Sequence, residues 1–315
     1  MGVTVASRFR SRALLRQYGL VLSFVLLCLA LTLLSDRFLT PSNLLNVLRQ
    51  ATINGIIAVG MTYVILTAGI DLSVGSILAL STVVAASIMQ SGQPVALALV
   101  VGLTLGTIMG LLNGLITAQA HIPPFVVTLG MMTIGRGLAL TFTEGRPITG
   151  LPESFRFVGA GFLGPVPMPI VIFLAVFVVG YFVLTRTVVG ESVYALGDNP
   201  VAARLAGIRT GRVITLVYAV SGFLSALAGL ILVARLNSAQ PTAGLGFEFD
   251  AIAAVVVGGT SFAGGEGSLL GTLLGVLIIQ VLNNGLNLLN VSSLWEGVVK
   301  GVVIALALLL HRAAH

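Results

Sequence analysis

Apolar residues in this chain come in long blocks, and their length limits the fold more than any other feature. The blocks run to roughly 17–25 residues, the length a helix needs to cross the hydrocarbon core of a bilayer. Backbone polar groups inside lipid must be satisfied by the chain itself, which leaves helices or a closed barrel. A barrel would show alternating segments of about ten residues. The blocks here do not alternate. Only 8% of residues are charged and 57% are hydrophobic, whereas soluble domains carry about a quarter charged. The 38 glycines suit helices that pack closely in a membrane. The expected fold is an all-α integral membrane protein of about ten transmembrane helices, some broken or short.

The crossings are predicted at residues 17–34, 51–68, 72–89, 95–118, 125–142, 168–184, 213–233, 251–262, 268–288 and 294–310. The eighth is long enough only for a half-span. Residues 35–48, with Pro41 and the cap-like Ser42, read as an outside segment carrying a short interfacial helix. Two further outside loops are expected, 143–167 and 234–249. Residues 1–16 hold Arg8, Arg10, Arg12 and Arg16 and no acid, so they read as a basic cytoplasmic arm. The transmembrane body then runs 17–311, with 312–315 as a short cytoplasmic tail. Both termini fall on the cytoplasmic side of the membrane.

One stretch breaks the apolar run. Residues 186–212 read RTVVGESVYALGDNPVAARLAGIRTGR and hold Arg186, Glu191, Asp198, Arg204, Arg209 and Arg212. The positive-inside rule places this island in the cytoplasm. Asp198 or Asn199 is suited to cap a helix and Pro200 to start it. A short helix over 201–206 would then end at Gly207. Such a segment reads either as an ordinary capped surface helix or as a docking element. Two faint internal likenesses, Val74-Gly75-Ser76-Ile77-Leu78 to Glu266-Gly267-Ser268-Leu269-Leu270 and Gly106-Thr107-Ile108-Met109-Gly110 to Gly271-Thr272-Leu273-Leu274-Gly275, differ in offset and so make no regular duplication.

Inside the apolar blocks, glycine recurs at spacing four. Gly102, Gly106, Gly110 and Gly114 share one face, as do Gly267, Gly271 and Gly275; Ser221, Ser225 and Gly229 form a milder ladder. This spacing predicts close helix packing, or a surface along which helices slide during gating. Gln280, Asn283, Asn284 and Asn287 sit at i, i+3, i+4 and i+7, so they share a face. They either line a hydrated path or bond neighbouring helices. Asn54 and Asn113 are further amides in predicted crossings. Asp71 reads as the N-cap of the third helix, the alternative being a proton relay. Arg136 faces a cavity or snorkels outward. Glu296 and Lys300 are spaced as a helical ion pair.

Several functions are disfavoured. There is no G-x-x-x-x-G-K-[ST] phosphate loop, and Lys300 is the only lysine. No HExxH motif is present; His121, His311 and His315 lack metal-ligand spacing, so no metal is expected. Cys28 stands alone, so there is no disulfide framework. The net charge of +6 is weak support for nucleic acid, and none is expected as a partner. An enzyme site is wanting, so any nucleotide hydrolysis belongs to another chain.

The motifs TYVILTAGIDLSVGSILALS (62–81) and VARLNSAQPTAGLGFEFDAIAAVVVGGTSFAGGEGSLLGT (233–272) closely resemble the permease subunit of bacterial ribose-type importers of the ATP-binding-cassette class. So do VYALGDNPVAARLAGI (193–208) and LNNGLNLLNVSS (282–293), and the likeness runs from about Phe38 to Leu310. The resemblance implies a dimer of two permease copies or two related subunits, a periplasmic sugar-binding protein outside, and a cytoplasmic ATPase pair inside. ATP and Mg would be used by that ATPase; this chain would bind no cofactor. A coupling helix is expected on 199–208, placing Asn199, Pro200, Ala202, Ala203, Arg204, Leu205 and Gly207 against the ATPase. Asn54, Asn113, Gln280, Asn283, Asn284 and Asn287 become the candidate path, and Asp71, Gly106, Gly110, Gly271 and Gly275 structural or gating positions. The cargo would be a monosaccharide, ribose or a related sugar. The competing reading is an ion-coupled secondary transporter or channel, which would need Asp71 or Arg136.

Overall fold

A computed structural model describes residues 3–292 together with 295, 297, 298, 301 and 302. The crossing predicted at 294–310, and the Glu296–Lys300 pair on it, lie outside the described residues apart from those last five. The helices in chain order are α1 (Val3–Leu34), α2 (Pro41–Leu66), α3 (Val74–Gln90), α4 (Val95–Ala120), α5 (Pro124–Thr143), α6 (Glu153–Ala160), α7 (Met168–Arg186), α8 (Val188–Asp198), α9 (Pro200–Leu205), α10 (Thr210–Leu236), α11 (Phe247–Val257) and α12 (Leu269–Leu288). Among the described residues, sheet is confined to two short antiparallel pairs: β1 (Ile148–Thr149) with β4 (Ser238–Ala239), and β2 (Phe162–Leu163) with β3 (Val166–Pro167). Among the described residues, six helices are long and apolar enough to cross a membrane: α2, α4, α5, α7, α10 and α12. The Gly19–Leu34 part of α1 and all of α3 are apolar but shorter. The structure therefore supports an all-α membrane fold and six crossings by length.

Two sequence expectations are corrected here. The segment 35–48 does not hold a separate interfacial helix. Pro41 occupies the first turn of α2, where its missing N–H costs nothing, and the helix runs unbroken to Leu66 because no breaker lies between. The loop 143–167 is structured: α6 packs its Gly159 against the backbone of α10 near Arg235, and β2 and β3 turn back on each other at Gly164, whose φ is +61°. The N-terminal arm is helical from Val3 and continuous with the first crossing.

α10 lies at the centre, buried along most of its length, while α5 and α7 are largely bare. The glycine ladder explains how α4 fits against α10. A Cβ at Gly106 would sit 2.6 Å from that of Ala226, and one at Gly114 2.6 Å from the Thr215 Cα. At Gly110 it would fall on the Tyr218 carbonyl, and Gly222 answers from α10 against Gly106 and Gly110. The two helices thus run antiparallel with their backbones in contact, which only small residues allow. Gly271 and Gly275 do the same for α12, against the carbonyls of Gly258 and Ala254 at the end of α11.

Three helices stop or start inside the packed body. α2 ends at Leu66, residues 67–73 cross the core without regular structure, and α3 starts at Val74. α11, at 11 residues, is only a half-span. Its start lies beside the start of α3, since a Cβ at Gly75 would meet the Gly244 carbonyl and lie 2.9 Å from Glu248 Oε2. Irregular backbone of this kind is tolerated in a membrane only where protein buries it or water reaches it.

Candidate functional site

The polar island folds as two helices. Thr187 caps α8 through Gly190 N–H at 3.4 Å. The next cap is Asn199, whose Oδ1 accepts from the Val201 and Ala202 amides at 3.0 and 2.9 Å. These bonds satisfy donors that the first turn leaves free. α9 closes where Gly207, at φ +86°, donates to the Arg204 carbonyl and Ile208 to that of Ala203. The helix expected at 201–206 is present, one residue earlier. Its faces divide sharply. Ala203 is 3% exposed, whereas Val201 is 69% and Leu205 85% exposed, with Ala202 and Arg204 beside them. Ala203 therefore packs inward. Val201, absent from the expected contact set, stands four residues from Leu205 on the outer face. α8 was also missed; its buried Gly190, Val193, Leu196 and Gly197 recur at helical spacing and mark it.

α8 carries the island into the core. Tyr194 donates to the Gly267 carbonyl at 2.9 Å, and Gly265 N–H donates to the Leu66 carbonyl at 3.0 Å. Gly197 lies on the Leu66 carbonyl and the backbone of Gly264 and Gly265, with no room for a Cβ. Burial, with a smaller push from Tyr181, raises the Tyr194 pKa, so its hydroxyl stays a donor. One helix of the island thus grips the ends of α2, α11 and α12 together.

The amide stripe splits in two. Asn284 and Asn43 exchange reciprocal bonds at 2.8 and 3.0 Å. Gln280 donates to Gln50 at 2.9 Å, and Thr62 meets Thr272 at 2.8 Å. All three pairs fasten α12 to α2. Asn283 and Asn287 are not part of these pairs; Asn283 Oδ1 is buried without a hydrogen-bond partner among the described residues, and Asn287 Nδ2 donates to the Asn283 carbonyl at 3.0 Å. Asn54 is half-buried on α2. A double-mutant cycle on Asn43→Ala and Asn284→Ala is expected to give a coupling energy of about 1 kcal/mol in thermal unfolding of the detergent-solubilised protein. Additive effects would remove the fastening role.

Asp71 is fully buried. Its Oδ1 accepts from Ser73 N–H at 3.0 Å and Ser73 Oγ at 2.6 Å, and its Oδ2 accepts from Ser221 Oγ on α10 at 2.8 Å. Asn113 on α4 donates to Ser73 Oγ at 2.8 Å. The cap position of α3 belongs to Ser73, so the expectation of a boundary N-cap at Asp71 is corrected. Asp71 instead ties the break before α3 to α4 and α10. Arg136 turns inward: Nη1 donates to the Pro241 and Ala243 carbonyls at 2.7 and 2.8 Å. Among the described residues, no three His, Cys, Asp or Glu side chains gather as metal ligands.

Crossing helices packed backbone to backbone, broken in the core and tied there by buried polar groups, define a multi-helix integral membrane protein. The chain belongs to the family of branched-chain amino acid transport system permease components, whose profile matches residues 43–308. It is 48% identical over 311 residues to a ribose import permease of Bacillus subtilis (strain 168), covering 98% of this chain and 97% of the relative. The ribose import permease of Escherichia coli (strain K12) is 48% identical over 312 residues, 97% of each chain. A D-allose transport system permease of that strain is 39% identical over 279 residues, 88% of this chain and 85% of the relative. No solved structure matches the chain.

Proposed function

We propose that this chain is the membrane-spanning permease of an ATP-binding-cassette importer that carries ribose or a closely related monosaccharide. The observation that carries this reading is 48% identity to ribose import permeases over nearly the whole length. The family description names branched-chain amino acids. The sugar reading rests on the named relatives, which match across both the island and the core.

In this reading a cytoplasmic ATPase pair binds ATP and Mg and docks on α9. Pro200, Ala202, Arg204 and Leu205 form its seat, with Val201 added. Asn199 and Gly207 fix the ends of the helix, and Ala203 fixes its inner face. Tilting α8 would pull on Leu66 and Gly265–Gly267, and so on the breaks beside Asp71 and α11. Gly106, Gly110, Gly271 and Gly275 are the close contacts about which helices pivot. A periplasmic sugar-binding protein loads the opposite side, a second permease copy or related subunit pairs with this one, and bilayer lipid surrounds the rest. Asn54, Asn283 and Asn287 remain candidate path residues, while Asn113, Gln280 and Asn284 move to a holding role. The island and both termini lie in the cytoplasm, consistent with the arginines at each.

Reconstitution tests this directly. Permease, ATPase and binding protein in vesicles are expected to take up ribose only with ATP present. Uptake driven by an ion gradient without ATP would overturn the reading in favour of a secondary transporter.

A further inference from the structure

The bare flank of α5 carries a feature that packing does not explain. A cavity of about 380 Å³ opens there, lined by Met132, Thr133, Arg136 and Gly137 of α5, by Leu245, and by Glu248 in the first turn of α11. Small-molecule sites occupy roughly 300–1,000 Å³. Its inner wall is the point where the fold breaks, because Glu248 lies against Gly75 at the start of α3. Arg136 is the thirteenth residue of α5, about 18 Å along a helix at 1.5 Å per residue. The cavity therefore sits well inside the span. A guanidinium and a carboxylate turned to hydrocarbon would be costly, so this flank calls for a polar occupant.

The chemistry of the lining is specific. Arg136 spends only Nη1 on the Pro241 and Ala243 carbonyls. That leaves the Nε and Nη2 N–H groups, three donors, without a protein acceptor among the described residues. Glu248 is 6% exposed and uses Oε1 on the Gly246 amide at 3.3 Å. Arg136 and Glu248 both line the cavity and form no ion pair with each other, so an unspent donor fork and a carboxylate share its wall. Their charges cancel. An anion would meet Glu248 and a cation Arg136, whereas a neutral polyol satisfies both. One hydroxyl donates to the carboxylate while its neighbour accepts from the guanidinium. Met132 and Leu245 offer apolar surface for the C–H face of a ring, and no atom lies within 4 Å of where a Gly137 side chain would begin.

We propose that the Arg136–Thr133–Glu248 cavity is a transit site for the adjacent hydroxyls of an uncharged sugar. This rests on the sugar-importer reading and adds to it the residues that touch the cargo.

The test uses the complete reconstituted transporter. Glu248→Gln keeps shape and removes the charge; ribose uptake is expected to fall about tenfold or more, as loss of a charge-assisted bond implies. Arg136 is left intact because it also holds the 241–243 backbone. Thr133→Cys, in a Cys28→Ser parent, gives a second readout. A small sulfonated methanethiosulfonate reagent should label it, and D-ribose presented by the binding protein during turnover should slow labelling about fivefold or more. L-leucine should not. Wild-type uptake in Glu248→Gln, labelling indifferent to ribose, or protection by L-leucine each overturns the site. If Glu248→Gln fails to reach the membrane, the labelling result decides alone. A Cys28→Ser parent that carries no ribose, allose or galactose with ATP present defeats the importer reading itself, and the site with it.

Discussion

Leu205→Asp is expected to cut ATP-driven ribose uptake by roughly 30-fold or more, the scale of a lost interface hot spot of about 2 kcal/mol. The substitution adds a charge where a partner would exclude water, and burying that charge unpaired costs more than the lost contact. Leu205 is 85% exposed and contributes nothing to the core, so the chain itself should insert and fold as before. Val201→Asp, on the same face, should act alike and more weakly, since Val201 presents a smaller apolar surface. The position between them behaves differently. Ala203 is 3% exposed, and a bulky charged residue there should reduce the amount of folded protein. The measurements are co-purification of the ATPase with the permease and ATP hydrolysis stimulated by sugar-loaded binding protein. A Leu205→Asp chain that still retains the ATPase and transports normally would remove α9 from the coupling path.

The contrast between Ala203 and Leu205 shows what the sequence made legible and what it hid. Asn199, Pro200 and Gly207 are local signals: a cap, a first-turn proline and a closing glycine act within one turn, so spacing alone locates the helix. Which face turns outward depends on α8, and α8 itself is recognised only by burial at Gly190, Val193 and Gly197. The apolar blocks announced α4, α7 and α10 because hydropathy at crossing length is also a local property. The same holds for the glycine face of α4. Its partner could not be read, since Gly222, Ala226 and Thr215 lie about a hundred residues away in sequence. The amides on α12 failed for that reason too. Their one-sided spacing was visible, but Asn43 and Gln50 on α2 were needed to separate holding residues from the rest. Pro41 rightly marked the start of a helix, since its φ and missing donor both suit a first turn; what stayed hidden was that this helix runs unbroken to Leu66.

Asp71→Ala is expected to lower the yield of folded, monodisperse permease about tenfold or more, while Asp71→Asn should retain uptake within about threefold. The carboxylate accepts three bonds, from Ser73 N–H, Ser73 Oγ and Ser221 Oγ. Alanine strands all three donors in a site with no solvent exposure, and each buried unsatisfied group costs about 1–3 kcal/mol. The sum is comparable to a whole domain's margin of roughly 5–15 kcal/mol. Asparagine behaves otherwise. Its Oδ1 can keep both bonds from Ser73, and Ser221 Oγ can turn to accept from the new amide, because a hydroxyl both donates and accepts. The tie from residues 67–73 to α10 then survives without the carboxylate. A proton relay makes the opposite demand: asparagine would fold normally yet abolish uptake, since an amide carries no exchangeable acid. The two variants separate the roles because the structural one needs an acceptor at this point and the chemical one needs an ionisable group. Thermal unfolding in detergent and ribose uptake by the reconstituted complex, measured on both variants, read the two demands independently.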